Sequence, residues 1–537
     1  MVRPSRLILL LAIASAAVVA LAVPGPASAR LTPPPATFRV VVVDHISDGT
    51  FAALARRGAV GLLRPGVGAT TNRRLALAEL VRGHEVKPVH GGAFHGKPLI
   101  AADTAPVDHI ARCHMCIVLE LPTARGGSVA NDKLYRIAVI GEGYHGLLTS
   151  PRTRIPGIVS VFDVVPTALP GRPTTTLSWI PAPHALGRLA SLDQQIGATN
   201  RLKFPALFIL AGLLLLLALL RLRAAVTAVP AALLINLFLG VTQVSSEVWL
   251  VAAMSAGTAL LAFGLTRLCR SDDALLLLFG GVVALYAGAM AVRPEWQAIN
   301  PFGPTQNSRF WGIGNQLETL MLAPLLAGAM IAQRRFGLIG FALFGVFGLF
   351  VMTDNRLGAD GGGAITLGVA LAVLGWRLFR LRLGGFVTFL ASAALLVLWV
   401  VSRGLTRQGP DHLRVAFSGH GSGLLKTLEN SVPLSYVPAL HAWTMVVPLL
   451  LVCVATFAIA LRRTSNASTR DLLLALGIAL VTSLLINDSA AYELAGGIAV
   501  LGAAARFAPT SRPVRIPVPV FLRRSQPVAV ASESPPA

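Results

Sequence analysis

The chain has 537 residues, 54% of them hydrophobic and 13% charged, and a mean hydropathy of +0.69. This excludes a purely soluble protein and points to a polytopic membrane protein. The formal net charge is +22, but many of the Lys and Arg residues stand at the ends of apolar runs, where topology accounts for them; membrane lipids, and no nucleic acid, are the expected surroundings.

Residues 1–29 pair Arg3 and Arg6 with an apolar run over 7–23 and the small residues Ala27, Ser28 and Ala29, the pattern of a signal peptide or, if uncleaved, an N-terminal anchor. Residues 31–200 lack long apolar runs and read as an extracytoplasmic α/β domain, large enough to bury its own core. Within it "FRVVVVDH" has the β-branched density of a buried parallel strand, "DGTFAALARRGAVGLL" reads as the helix that follows, and "RIAVIGEG" and "GIVSVFDVVPTAL" supply further strand and helix starts. Asp44 is expected at the carboxyl end of a central strand, where open parallel sheets place their ligands. Cys113 and Cys116 form "CHMC", a spacing that suits a redox motif, a metal half-site, a disulfide or two unconnected core residues.

From 204 onward eleven apolar runs follow, over about 204–220, 224–243, 248–266, 274–292, 311–333, 336–353, 362–376, 386–402, 438–460, 472–487 and 490–505. Together they predict an all-α polytopic domain over 204–506. Arginines follow every odd-numbered run, for example Arg221, Arg267, Arg334, Arg377, Arg462 and Arg506, which puts those ends in the cytoplasm and the α/β domain outside. Residues 507–537 form a cytoplasmic tail, partly disordered, since its end is rich in Pro, Ser and Ala.

An Asp closing a first strand, then "RGAVGLL", then "D-x-x-PT-x-L" from Asp163 resembles the alkaline phosphatase superfamily. More specifically, the chain is similar to a group of bacterial envelope proteins of unassigned function that fuse such a domain to a multi-helix membrane half. The motifs that carry this likeness are "GIGNQ" at 312–316, "LGADGGG" at 357–363 and "NDS" at 487–489. The superfamily implies two divalent metals clamping a phosphoryl group beside a nucleophile. Asp44, His109 and His145 would be the metal ligands and Thr70 or Thr71 the nucleophile. The superfamily's D-x-x-x-H pattern is absent and the spacing compressed, so a degenerate domain without cofactor is expected. The eight histidines of this segment leave a divalent metal as the alternative.

In the membrane half, "SRFWGIGNQLETL" opens the fifth run with polar residues. On a helix, Asn315, Glu318 and Thr319 share a face that cannot point at lipid. Arg309, Arg356 and Arg414 lie on the exterior side in this topology, against the usual charge bias, and a bound anion would account for them. Asp360 stands in the glycine-rich start of the seventh run, His412 in the long loop after the eighth, and Asp488 in a broken junction between the tenth and eleventh. The arrangement also resembles, more faintly, the O-antigen ligase and polymerase families. That likeness implies a polyprenyl-pyrophosphate-linked glycan as substrate, Arg309 and Arg356 as its pyrophosphate ligands, and His412 or Glu318 as general base. The expected site therefore joins Arg309, Asn315, Glu318, Arg356, Asp360, Arg414 and Asp488 with His412 in an exterior cavity, its acids paired with its arginines. The expected function is transfer of glycan or phosphoglycan from an anionic lipid-linked precursor; export of such a precursor, or a non-catalytic scaffold, are the alternatives.

Overall fold

The computed structural model describes residues 37–66, 70–84, 98–104, 113–123, 127–169, 176–304, 310–381, 443–487 and 489–509, with Gly384 and Val387. The expected N-terminal signal or anchor, most of the apolar run at 386–402, the long loop carrying His412 and Arg414, and most of the tail lie outside them.

The first strand, β1 (Arg39–Val43), is buried along almost its whole length because its valines face apolar layers on both sides of the sheet. Helix α1 (Asp48–Arg57) follows, capped by the Ser47 hydroxyl, which accepts from Thr50 N at 3.2 Å. Then come β2 (Ala59–Arg64), β3 (Thr70–Thr71) and α2 (Arg73–Arg82), with Asn72 as N-cap and left-handed Gly83 ending the helix. Strands β4 (Ala102–Thr104), β5 (Cys116–Glu120), β6 (Val129–Ala130), β7 (Tyr135–Ile140), β8 (Gly146–Thr149) and β9 (Ile158–Ser160), the short helix α3 (Val164–Ala168) and β10 (Ser178–Ile180) complete the domain. The main sheet runs β10-β8-β2-β7-β5-β1-β4, with β9 also on β2. It is mixed: β7 and β10 run against the rest.

Three expectations change here. Strand β1 is next to the edge, not central. Asp44 follows it, is largely exposed, and pairs with Arg73 at 2.7 Å. His145 is also exposed and precedes β8, which runs in the same direction as β1, so it stands at the opposite end of the sheet from Asp44 and cannot share a metal with it. His109 lies outside the described residues. Among those residues no group of three His, Cys, Asp or Glu side chains comes together as a metal site. Cys113 and Cys116 form a disulfide. Asp163, from the motif that suggested the phosphatase likeness, is fully buried, accepts from the Ser150 hydroxyl and from Arg152 Nε at 3.0 Å, and takes part in a capping box with Ser160. It is a structural acid.

The helical region begins earlier than the apolar run at 204 suggests. Helix α4 (Ala185–Leu219) has 35 residues; Leu189, Leu192 and Ile196 belong to the core of the α/β domain, and the helix continues into the bundle. A helix of that length spans about 50 Å, so one rod is shared by both halves. Next are α5 (Ala224–Thr242), α6 (Glu247–Leu268), α7 (Asp272–Val292), the short α8 (Pro294–Ala298), α9 (Asn315–Thr353), α10 (Gly361–Phe379), α11 (Trp443–Arg463), α12 (Ala467–Ile486) and α13 (Ala490–Ala504). Among the described residues eight helices are long and apolar enough to cross a membrane, and α13 is a shorter apolar helix.

The 39-residue α9 is two helices folded back at Gly337, whose φ of +67° and ψ of −146° are not helical. A Cβ on Gly328 would stand 2.4 Å from the Phe344 ring, and one on Gly348 2.7 Å from Leu325, so the two arms are in close antiparallel contact. At the turn, Arg335 pairs with Asp273 and Arg334 donates to Ser468 Oγ at 2.5 Å, tying together the arginine-rich ends of α7, α9 and α12. The α/β domain sits at the other end of the bundle. Ala298, Ile299 and Phe310 join its core, and Gln195 donates to Ile299 O at 3.4 Å.

Candidate functional site

The polar start of α9 is made by two backbone segments in contact. Gly312 has a φ of +82°, and a Cβ there would lie 2.3 Å from Gly358 O. Only glycine allows both the conformation and the approach. The next residue donates from Ile313 N to that same carbonyl at 2.9 Å. "GIGNQ" and "LGADGGG", forty-odd residues apart, are thus laced together by main chain. Asp360 then caps α10, accepting from Gly363 N at 3.1 Å.

The third motif closes on the same spot. Asn487, the C-cap of α12, donates through Nδ2 to Glu318 Oε2 at 2.8 Å and to Ser483 Oγ at 2.9 Å. Glycines make room: a Cβ on Gly362 would meet Asn487 Oδ1 at 2.1 Å, one on Gly363 would meet Glu318 Cγ at 3.0 Å, and one on Gly496 would meet Thr319 Cγ2 at 2.9 Å. Glu318 is wholly buried, with Thr366 beside it and Asp360 and Glu493 as its charged neighbours. Among the described residues Glu318 Oε1 has no hydrogen-bond partner.

Among the described residues Glu318 is met by Asn487 and not by Arg356. Arg356 bonds Asp354, Nε to Oδ1 at 3.1 Å, and its side chain is partly exposed; the partner of Glu318 is an amide. Asn315 is half-buried at the head of α9, and its carbonyl accepts from the Thr319 hydroxyl at 2.8 Å. Arg309, Arg414, His412 and Asp488 lie outside the described residues, although both neighbours of Asp488 belong to this junction. An apolar pocket in the bundle, lined by Val226, Pro230, Phe279, Pro324 and Phe507 among others, does not touch these side chains.

Two residues that belong to the site or border it carry weaker sequence signals. Glu493 is fully buried and follows "NDS" by one helical turn, a spacing that marks it as facing the same junction. Lys203 in α4 is buried, donates from Nζ to Pro304 O at 2.8 Å, and precedes Phe204, whose ring stacks on Tyr492 with centroids 3.9 Å apart. A lysine at the head of an apolar run reads as an ordinary interfacial flank.

Above the junction stands the α/β domain. Trp311 donates from Nε1 to Arg152 O at 2.8 Å, and the Arg154 guanidinium lies over its ring, 3.5 Å from the centroid. Chemically, the site offers a carboxyl group oriented by an amide, two more acids to exchange protons with, and a cover of protein. Comparison of the chain with protein families, curated proteins and solved structures finds no match.

Proposed function

We propose that this is a multi-pass protein of the bacterial cytoplasmic membrane that acts at the exterior face on an anionic, lipid-linked envelope precursor, transferring glycan or phosphoglycan with Glu318 as the acid/base. One observation carries the reading: three motifs distant in sequence converge on a single buried carboxyl group at the end of the bundle that faces the α/β domain. A buried acid in a membrane bundle costs free energy and is retained for function. Asn487 orients one oxygen and leaves the other to take a proton from an acceptor hydroxyl. In this reading the α/β domain, alkaline phosphatase-like in descent, works as a metal-free cover and binding module. Arg356, with Arg309, Arg414 and His412 from the neighbouring loops, would meet the substrate phosphates, and Asn315, Asp360 and Asp488 would line the approach.

Proton-coupled export of the same class of molecule is the second reading, favoured by the presence of three acids where acid/base catalysis needs one or two. Envelope lipids and glycans compared between cells expressing the wild type, Glu318→Gln or no protein test the first. Loss of one polymer in the Gln variant, with its lipid-linked precursor accumulating on the outer leaflet, supports transfer; accumulation on the inner leaflet supports export. Full complementation by Glu318→Gln refutes both. The orientation is tested by labelling Ser422→Cys with an impermeant thiol reagent in intact cells; labelling only after the membrane is opened reverses it.

A further inference from the structure

Resting on the reading of Glu318 as the working acid/base, we infer that Trp311 is a positioning residue through which the α/β domain sets the Glu318 junction. Trp311 is buried, and two of its partners come from one loop of the α/β domain. Arg152 accepts its indole N–H at 2.8 Å, and Arg154 covers its ring. Arg152 is itself held from behind, Nε to the buried carboxylate of Asp163 at 3.0 Å. The grip therefore reaches into the core of the domain.

The backbone on both sides of this grip is strained. Among the described residues, the non-glycine positions with left-handed φ are Arg154, Arg221, Gln243, Ala359 and Arg380. Arg221, Gln243 and Arg380 lie at or just past helix C-termini, where that conformation is ordinary. Arg154 (φ +58°) and Ala359 (φ +48°) close turns outside the helices, Arg154 N on Ser150 O at 2.9 Å and Ala359 N on Asp354 O at 3.2 Å, and they stand at the two ends of one path. Arg154 holds Trp311; Trp311 is followed by Gly312 and Ile313, which pack on and bond Gly358 O; Ala359 comes next, and then Asp360, a charged neighbour of Glu318. Such conformations persist only where the surroundings over-determine them, and they gather at functional sites. Seating of the α/β domain, for instance when it binds a substrate headgroup, would move the Glu318 junction without touching it.

The test uses the full-length protein in detergent, as wild type, Arg154→Ala, Arg154→Lys, Trp311→Phe and Glu318→Gln. Two readouts are taken: hydrogen exchange of the peptides covering 312–316 and 357–361, and the rate at which dicyclohexylcarbodiimide modifies Glu318 across a pH series. Arg154→Ala and Trp311→Phe should each speed exchange of both peptides and alter the carbodiimide rate by about tenfold, the effect of losing about one constraint of this size, with a displaced pH profile; Arg154→Lys should recover part of it. Unchanged exchange in Arg154→Ala, or faster exchange with the carbodiimide profile of Glu318 unmoved, overturns the inference and leaves Trp311 a packing residue. Arg154→Ala removes a half-buried side chain and keeps the Trp311 indole with its bond to the Arg152 carbonyl, so it decides the matter even if Trp311→Phe folds poorly. Complementation by Glu318→Gln would refute the catalytic reading while leaving the exchange result to stand on its own.

Discussion

Replacing Gly312 by alanine tests the backbone contact on which the whole junction depends. The added Cβ would lie 2.3 Å from Gly358 O and 3.1 Å from its carbonyl carbon, both main-chain atoms that no rotamer change can move. Ordinary non-bonded contact needs about 3.5 Å, so the two segments must part by about 1 Å. That separation stretches the bond from Ile313 N to Gly358 O, now 2.9 Å, and forfeits about 1 kcal/mol. Holding alanine at a φ of +82° costs a further 1–2 kcal/mol or so. The sum is roughly 2–3 kcal/mol. In detergent the apparent melting temperature should fall by roughly 4–8 °C, and the Glu318-dependent phenotype should be lost. Gly281→Ala is the control: Gly281 lies in α7, and a Cβ added there would have nothing within 4 Å, while alanine in a helix interior is favoured over glycine by about 0.5–1 kcal/mol. If Gly312→Ala melts with Gly281→Ala, the close approach is not what shapes the site.

Asp163→Asn should destabilise the α/β domain by about 1–3 kcal/mol, because it weakens the charge-assisted bonds from the Ser150 hydroxyl and from Arg152, which is itself partly solvated; thermal unfolding followed by limited proteolysis of that domain measures it. Tyr144 is buried between Phe38 and Trp179, and burial holds its phenol protonated well above the ordinary tyrosine range. Its folded pKa is raised, so its contribution is fully present below the unfolded value of about 10 and declines as pH rises above that; Tyr144→Phe should therefore move the alkaline unfolding midpoint upward, and an unmoved midpoint contradicts it. Lys203→Met replaces a buried ammonium that has one carbonyl acceptor with an apolar chain of similar length. Its melting temperature should hold or rise, and a clear fall would show that the ammonium is held by more than Pro304 O.

Glu318 and Asp360 stand out in the sequence because polar groups beside or inside apolar runs are expensive; at the "NDS" junction the same reasoning selects Asp488, whereas the bond to Glu318 comes from Asn487. Their partners were not legible. Sequence spacing puts Asn315, Glu318 and Thr319 on one helical face, but whether Glu318 meets an arginine or an amide depends on where α9, α12 and α13 cross. The same limit explains Asp44. A β-branched run identifies β1 as a buried strand, yet its place beside the sheet edge is a matter of long-range pairing. The stretch 185–203 carries too many polar residues for a membrane span, so it reads as the end of the soluble domain; only its leucines, which pack under the sheet, reveal it as the upper half of α4. The α/β region followed by a bundle of apolar helices agrees with the observed architecture.

The fold at Gly337 bears on how the protein is made. Two apolar arms joined through one non-helical residue leave no length of chain that could wait in water while the second arm is synthesised and threaded. They must enter the bilayer as a pair, with their backbone groups already satisfied inside each helix. The notches at Gly328 and Gly348 are filled by the opposite arm, so each arm is a poor lipid-facing surface alone and a complete one together. Arg334 and Arg335 sit at the bend and bond Ser468 and Asp273 of the neighbouring helices. For biogenesis this hairpin is a single insertion unit: a reporter fused after residue 336 would sample an incomplete intermediate, and a fusion after residue 353 would be the earliest to report the finished one.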